Sequence, residues 1–338
     1  MSNICILGSG GWGTAIAMLL LENKHNVTLW SFTKEECDLI ASSRENTRCL
    51  PGVKIPEEIT LTWDINCCKN QDIIVIATPS HGVRGVAKML KDIIPDNQII
   101  LNISKGIEEG TSLTMSQVIK EELPNANVAV MSGPSHAEEV SRGIPTTNVV
   151  ASHSQEITSL IQDTFMTPTF RIYANDDIVG VELGGSVKNV IALCCGVLDG
   201  LGFGDNTKAA LMTRGLVEMT RLGMAMGAKK ETFSGLSGIG DLIVTCTSMH
   251  SRNRRAGILI GQGKTLDEAQ AEVNMVVEGV RSCKATRELA TKLGVEMPIV
   301  FEAYRVLFEG ENPRKAIENL MTRSKKNETE ACFLNTIE

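Results

Sequence analysis

The sequence is poor in basic charge, in histidine and in aromatic residues. It carries 33 Lys and Arg against 40 Asp and Glu among 338 residues, which gives a formal net charge of -7. A protein that binds nucleic acid needs a basic face to release counterions from phosphate, so we expect no nucleic-acid partner. The five histidines show no metal-ligand spacing, and we expect no metal site. No apolar run approaches the ~20 residues needed to cross a bilayer, so we expect no membrane contact.

The sequence also lacks the features of a secreted, disulfide-linked protein. The first apolar run is only a strand's length and leads into Gly8, without the charged region of a signal peptide. The ten cysteines lie scattered in apolar segments and form no Cys-x-x-Cys pair. We therefore expect reduced thiols in a cytoplasmic protein. The vicinal pairs Cys67-Cys68 and Cys194-Cys195 leave a redox role open, although nothing nearby argues for a lowered thiol pKa.

A glycine motif close to the amino terminus organises the chain. The apolar run from Asn3 to Leu7 is followed by Gly8, Gly10 and Gly13 and then by Ala and Leu in helical register. Strand, tight turn and helix in this order are typical of a dinucleotide-binding fold. Gly8 permits the turn, Gly10 lets the backbone approach a pyrophosphate, and Gly13 lets the helix pack on the strand. The helix start would offer N–H donors to phosphate.

The end of the second predicted strand bears on the choice of cofactor. In folds that prefer NAD, an acidic residue about twenty positions past the glycines binds the ribose hydroxyls. Here the segment after Trp30 is Ser31-Phe32-Thr33-Lys34, without a carboxylate. This absence, with Lys34 close by, tilts the choice slightly toward NADPH. A solvated Lys34 at the start of a surface helix is the alternative.

The rest of the chain predicts two domains of different secondary structure. Strands and helices alternate to about residue 175 and form a mostly parallel sheet of roughly eight strands, as in a Rossmann-type α/β domain. From Asp176 onward the patterns are helical, which predicts an all-α second domain. We expect a dinucleotide-binding domain over 1–180 and a helical substrate and catalytic domain over 181–338. Lys105 follows a strand at the edge where parallel sheets bind ligands.

Three polar features of the helical half suggest chemistry. Lys188 and Asn189 lie within an apolar, glycine-bearing helix, where burial would lower the lysine pKa toward neutrality and suit it to proton transfer; a snorkelling lysine is the alternative. Asp241, among glycines and aliphatics, is a candidate partner of Lys188 or the N-cap of its own helix. Ser251-Arg252-Asn253-Arg254-Arg255 gathers cationic side chains at a helix start, which suits a phosphate dianion, although a solvated face would cover at least one arginine.

These motifs resemble those of the bacterial-type NAD(P)-dependent glycerol-3-phosphate dehydrogenases. The similarity covers nearly the whole chain to about residue 326. Its most specific segments are Gly-Ser-Gly-Gly-Trp-Gly-Thr-Ala at 8–15, Ser-Gly-Pro-Ser-His-Ala-Glu-Glu at 132–139, Glu-Leu-Gly-Gly-Ser-Val-Lys-Asn-Val at 182–190, Gly-Ile-Gly-Asp-Leu at 238–242, Thr-Cys-Thr at 245–247, Ser-Arg-Asn-Arg at 251–254 and Val-Val-Glu-Gly at 276–279.

The resemblance implies reversible conversion of dihydroxyacetone phosphate and sn-glycerol 3-phosphate, which supplies phospholipid synthesis, and a possible homodimer through the helical domain. It implies that Lys188 is the catalytic acid and base. The residues that it implies as helpers in catalysis are Asn189, Asp241 and Thr245. Those that it implies as substrate contacts are Lys105, Gly133, Ser135, Ser251, Arg252 and Asn253. Those that it implies as cofactor contacts, with the glycines of the motif, are Gly11, Trp12, Thr33, Lys105, Ala137, Arg252, Val276 and Glu278.

Three positions depart from the family pattern. Phe32 and Thr33 stand where family members often carry a His or Arg, which leaves the cofactor preference open, and Gly11 replaces a common serine. Two rival functions fit the same features less well. One is a related hydroxy-acid dehydrogenase, whose carboxylate substrate would also suit Arg252. The other is an NAD(P)-sensing protein without turnover, which would not require Lys188 or Asp241.

Overall fold

The computed structural model describes residues 1–328, and the amino-terminal part is an eight-stranded sheet flanked by helices. The strands in chain order are β1 (Asn3–Leu7), β2 (Asn26–Trp30), β3 (Thr60–Thr62), β4 (Ile73–Ile76), β5 (Ile99–Asn102), β6 (Asn127–Ser132), β7 (Thr146–Ala151) and β8 (Phe170–Asn175). The predicted strands are thereby confirmed. They are short, rich in β-branched residues and mostly buried on both faces, as parallel strands require.

The helices divide between the two faces of this sheet and a separate helical half. In chain order they are α1 (Gly11–Glu22), α2 (Lys34–Ser43), α3 (Val83–Leu90), α4 (Met115–Glu122), α5 (Ala137–Val140), α6 (Gln155–Phe165), α7 (Ile178–Gly200), α8 (Asp205–Ala225), α9 (Asp241–Thr247), α10 (Arg252–Gly261), α11 (Leu266–Val273), α12 (Glu278–Leu293), α13 (Pro298–Phe308) and α14 (Pro313–Met321). A π-helical turn, Leu236–Gly240, leads directly into α9. The charged sequence from Ser324 predicts an irregular tail, which falls partly outside the described residues.

The sheet has the order β3-β2-β1-β4-β5-β6-β7-β8. Neighbouring strands are parallel except for β6 and β7, which run antiparallel. The order reverses between β1 and β4, and the carboxyl ends of β1, β4, β5 and β6 therefore meet at one edge. In open sheets of this kind ligands bind outside the carboxyl ends at such a reversal.

Helix α7 is the central element of the helical half and corrects one expectation from the sequence. With 23 residues and mean hydropathy 1.5, it is the one helix of the described part that is long and apolar enough to cross a membrane. The expectation of no apolar run of this length was wrong. However, 89% of its apolar window is buried inside the protein. A helix that is apolar all round is the expected form for the middle of a helical core.

Hydrophobic periodicity predicts helices from about Ser112 and over 284–293, and both starts differ from those observed. The second helix begins six residues earlier, at Glu278, without a side-chain cap. The helix predicted from Ser112 begins at Met115, because the side chain of Thr114 and that of Gln117 form a reciprocal capping box.

Candidate functional site

A group of polar side chains surrounds the buried carboxylate of Asp241, which is 1% exposed. Lys188 Nζ donates to Asp241 Oδ1 over 2.5 Å and to Thr245 Oγ1 over 2.6 Å. Lys105 Nζ donates to the other oxygen, Asp241 Oδ2, over 2.7 Å and to the Gly133 carbonyl over 3.0 Å. Two ammonium groups from opposite halves of the chain thus share one carboxylate.

The predicted pairing of Lys188 with Asp241 is confirmed. The two alternatives, a snorkelling Lys188 and Asp241 as the N-cap of its helix, are excluded. Lys188 is 5% exposed, so its ammonium does not snorkel to solvent. The N-cap of α9 is Gly240 and not Asp241, whose carboxylate is directed to the two lysines. Thr245 lies one turn along α9 and donates to the backbone carbonyl of Asp241 over 2.6 Å, which fixes its hydroxyl beside Lys188 Nζ.

Burial tunes Lys188 for proton transfer. Desolvation lowers the pKa of its ammonium to about 8, with the Asp241 carboxylate opposing this effect and the Lys105 charge adding to it. A group with a pKa near the working pH can both give and take a proton, as a general acid and base must.

Small residues bring α7 close enough to the sheet for Lys188 to reach this edge. A methyl group on Gly184 would lie 2.4 Å from the Ser237 carbonyl oxygen, and one on Gly185 would lie 2.5 Å from Ser132 Oγ. Larger side chains at either position would push the helix away from β6 and from the turn before α9. The glycine pair before Lys188 is therefore part of how the chain positions that lysine.

The carboxyl ends of β5 and β6 supply the other predicted substrate contacts. Lys105 follows β5, and Gly133 follows β6 with φ of +144°, a conformation open to glycine. A methyl group on Gly133 would also lie 2.4 Å from Asn148 Oδ1. Ser135 donates its hydroxyl back to the Gly133 carbonyl over 3.0 Å.

A second buried polar chain runs from α7 to α10 and α12. Asn253 Nδ2 donates to Asn189 Oδ1 over 2.9 Å, and the Gly279 N–H donates to Asn253 Oδ1 over 2.8 Å. Ser251 caps α10 by accepting the Arg254 N–H over 3.2 Å. These bonds hold the start of α10 beside the residue that follows Lys188.

The arginines of the basic segment have different environments. Arg252, the first residue of α10, is exposed. Arg254 is engaged within the protein, since its Nε donates to Asp199 Oδ2 over 2.7 Å. Arg254 is thus paired within the protein and does not lie on a solvated face, whereas Arg252 is the exposed cation at the helix start.

The glycine motif has the geometry that a pyrophosphate requires. Gly8 has φ of +122°, and a methyl group there would meet the Ala77 carbonyl at 2.8 Å. A methyl group on Gly13 would lie 2.0 Å from the Gly8 carbonyl, which is the close helix packing expected. Gly10, the N-cap of α1, faces open space instead, with nothing within 4 Å of such a methyl.

The substitution of Gly11 for serine has a local reason. A methyl group on Gly11 would lie 2.7 Å from the Cys49 carbonyl oxygen and 3.6 Å from the Cβ of Ala137. The loop that carries Cys49 thus occupies the space of a side chain at position 11. The short distance to its Cβ shows that Ala137, the first residue of α5, lies beside the glycine motif. Trp12 is the next residue of α1, and its ring lies 6.5 Å from that of Phe170.

Helix α12 reaches the same edge from the helical half. Glu278 accepts the Ser80 N–H over 3.1 Å and the Ser80 hydroxyl over 2.7 Å. Ser80 follows β4, so this bond pair joins the start of α12 to the sheet next to the glycine motif. Val276, two residues earlier, is half-buried.

Thr33 and Lys34 lie at the carboxyl end of β2. The Thr33 hydroxyl accepts the Glu36 N–H over 3.2 Å and so caps α2. Exposed Lys34 pairs with Asp38 over 3.0 Å. Such surface pairs are weak and easily exchanged for another anion.

Several polar groups at this edge lie outside the site residues predicted from the sequence. His136 is at the N-cap position of α5 without a side-chain capping bond. Its Nε2 is buried with no partner among the described residues, and its ring lies 5.7 Å from that of His250. Burial, assisted by the charge of Lys188, lowers the His136 pKa. Thr78 Oγ1 and both polar atoms of the Asn148 side chain are likewise buried without described partners. The Ser-Gly-Pro-Ser-His segment could have pointed to His136, but no sequence signal marks Asn148.

Models of known families match both halves of the chain. The model for the amino terminus of NAD-dependent glycerol-3-phosphate dehydrogenase matches residues 3–158, and that for the carboxyl terminus matches residues 177–318. The resemblance noted from the motifs is thereby confirmed.

Similar proteins and structures agree with this match. A protein of Fusobacterium nucleatum named glycerol-3-phosphate dehydrogenase [NAD(P)+] is 55% identical over 98% of this chain and 100% of its own length. One of the same name from Thermoanaerobacter is 56% identical over 96% of this chain and 98% of its own. The crystal structure of a Coxiella burnetii glycerol-3-phosphate dehydrogenase matches with a TM-score of 0.93 and 38% identity, over 95% of this chain and 99% of that one. The chain therefore belongs to the family of NAD-dependent glycerol-3-phosphate dehydrogenases.

Proposed function

We propose that this chain transfers hydride reversibly between NAD(P)H and C2 of dihydroxyacetone phosphate, with Lys188 as the acid and base. Membership of the family makes it an NAD(P)-dependent oxidoreductase. The observation that best supports the role of Lys188 is its buried ammonium, which contacts both Asp241 and Thr245 and has a pKa of about 8. In the reducing direction protonated Lys188 gives its proton to the C2 oxygen, and in the oxidising direction neutral Lys188 takes the proton from the C2 hydroxyl.

The residues at the sheet edge fit a dinucleotide. The open space beside Gly10, the unpartnered Thr78 hydroxyl and the N-terminus of α1 suit a pyrophosphate, which Gly8, Gly10, Gly11, Trp12 and Gly13 would hold. The further residues proposed to hold the cofactor are Thr33, Lys105, Ala137, Arg252, Val276 and Glu278. When bound, the nicotinamide supplies or accepts the hydride.

The substrate would lie between the two halves of the chain. Exposed Arg252 at the start of α10 is proposed to bind its phosphate, with Ser251 and Asn253 beside it. Lys105, Gly133 and Ser135 would meet the triose from the sheet edge. Asn189, bonded to Asn253, would link the phosphate position to that of Lys188.

The cofactor preference rests on the end of β2. The side chains at 31–34 carry no carboxylate for a ribose hydroxyl, and exposed Lys34 pairs with exposed Asp38. We propose a slight preference for NADPH, whose additional phosphate would meet Lys34 and the start of α2.

Three further expectations stay predictions. The first is the division into domains near 180 and 181, for which the support is the change from strands to helices between the end of β8 at Asn175 and the start of α7 at Ile178. The second is a homodimer through the helical half, for which the family resemblance is the support. The third is a cytoplasmic location, which the nine free cysteines of the described residues support.

The test is oxidation of NADH and NADPH, followed by nicotinamide absorbance, with dihydroxyacetone phosphate as substrate. We expect turnover with this ketone and a higher kcat/KM with NADPH. Carboxylated ketones serve as the control for a hydroxy-acid dehydrogenase and should give no turnover. Cofactor binding without oxidation of either cofactor would instead indicate a sensor.

A further inference from the structure

Three thiols outside the catalytic edge lie close together beneath the sheet. Cys5 Sγ is 3.3 Å from Cys67 Sγ and 3.7 Å from Cys68 Sγ, and all three sulfur atoms lie within 4.8 Å of one another. Cys5 belongs to β1, while Cys67 and Cys68 belong to the 3-10 turn Ile65–Cys68. Because 62 residues separate Cys5 from Cys67, no spacing along the sequence reveals this cluster.

The distances suit a single ion bonded to all three sulfurs. A zinc–sulfur bond of about 2.3 Å places the sulfurs of a tetrahedral ion about 3.8 Å apart. Two of the distances here, 3.3 and 3.7 Å, already lie near that value. Three converging thiols, and not two, favour an ion over a disulfide, since a disulfide would use only one pair.

The cluster is accessible from solvent at one of its three sulfurs. Cys67 is half-buried between exposed Asn66 and buried Cys68. Cys5 and Cys68 are buried. An ion can therefore reach the cluster from the side of Cys67.

We propose that Cys5, Cys67 and Cys68 form a three-thiolate site for a soft divalent cation of the zinc class. Thiolate ligands select such ions over hard cations. On binding, each thiol loses its proton to solvent and forms a sulfur–metal bond, and no electron is transferred. Water would be the fourth ligand of the ion and would reach it from the side of Cys67.

The site has a structural consequence for the catalytic edge, although it is separate from it. An ion would tie β1, which ends just before Gly8, to the turn that precedes β4. Those two strands carry the glycine motif and Thr78 at their carboxyl ends. We therefore expect the ion to raise Tm, because it binds the folded chain and the unfolded chain holds no preformed site.

The test is titration of the full-length chain, reduced with a thiol-free phosphine, with cadmium chloride. The expected result is an ultraviolet thiolate-to-cadmium band that saturates at one ion per chain, with a rise in Tm. Cys67→Ser, at the half-buried position, should lose both the band and the rise. Cys37→Ser, which removes a buried thiol of α2 outside the cluster, should keep both.

A second variant keeps the test decisive if the Cys67→Ser variant does not fold. Cys5→Ala removes the sulfur from β1 and should lose the same band, with folding of each variant checked by circular dichroism. Absence of the band in the unmutated chain would overturn the proposal. So would an unchanged band in both variants.

Discussion

At the scale of single residues, the central feature is a carboxylate shared by two lysines. Asp241 bonds Lys188 through one oxygen and Lys105 through the other. Burial alone would lower the pKa of the Lys188 ammonium further, and the carboxylate limits that effect while Lys105 adds to it. The two neighbours thus shift the Lys188 pKa in opposite directions. Removing the charge of either one should therefore reveal the direction of its own effect.

Asp241→Asn and Lys105→Met should move the pH profile of ketone reduction in opposite directions. Reduction needs protonated Lys188, so in the unmutated chain kcat should fall as pH rises through about 8. Loss of the Asp241 charge disfavours the ammonium and should bring this fall to lower pH. Loss of the Lys105 charge favours the ammonium and should bring it to higher pH. The measurement is kcat against pH at saturating substrate, and shifts of the same sign would contradict the shared-carboxylate account.

At the scale of elements, close packing of α7 on α10 sets the distance between the catalytic lysine and the proposed phosphate site. The contact is made by glycines on both helices. A methyl group on Gly196 would lie 2.1 Å from the Arg254 carbonyl, and one on Gly257 would lie 2.0 Å from the Leu193 carbonyl. The helices can therefore approach closely enough for Asn253 to bond Asn189.

Gly257→Ala should separate these helices. The added methyl has no room against a backbone carbonyl, so we expect a loss of about 1–3 kcal/mol in the free energy of unfolding and a raised KM for the phosphate substrate. The control is Gly85→Ala in α3, where a methyl meets nothing within 4 Å and should stabilise the helix by about 0.5–1 kcal/mol. Denaturant unfolding and KM report both effects, and equal behaviour of the two variants would show that the helix contact is not tight.

At the scale of the whole molecule, local patterns predicted the elements, and contacts distant in the sequence decided the site. The glycine motif was predictable because Gly8, Gly10 and Gly13 act within one strand, turn and helix. Lys188 and Asp241 could be proposed as a pair because each is a charged residue in an apolar segment. Three other features depend on strand order and were not predictable from periodicity. They are the second partner of Asp241, which is Lys105, the buried position of His136 at the sheet edge, and the Cys5 cluster.

The bond pair between Ser80 and Glu278 should couple the two halves of the chain. Ser80→Ala and Glu278→Gln each remove part of it, and the double variant should lose less stability than the sum of the single losses. A hydrogen bond to a charged group of this kind is worth about 1.5–3 kcal/mol, so a coupling of about 1 kcal/mol is expected. Unfolding in denaturant measures it, and additive losses would mean that the bond does not join the halves energetically.

Lys188 is proposed to carry the proton while hydride moves to or from C2. The most direct measurement is turnover of dihydroxyacetone phosphate by the Lys188→Ala variant, with cofactor affinity measured alongside it. The account predicts that kcat falls by roughly 10²–10⁴-fold while the Kd of the cofactor changes little, because Lys188 contacts Asp241 and Thr245 and not the glycine motif. Near-normal turnover in a folded Lys188→Ala variant would contradict it.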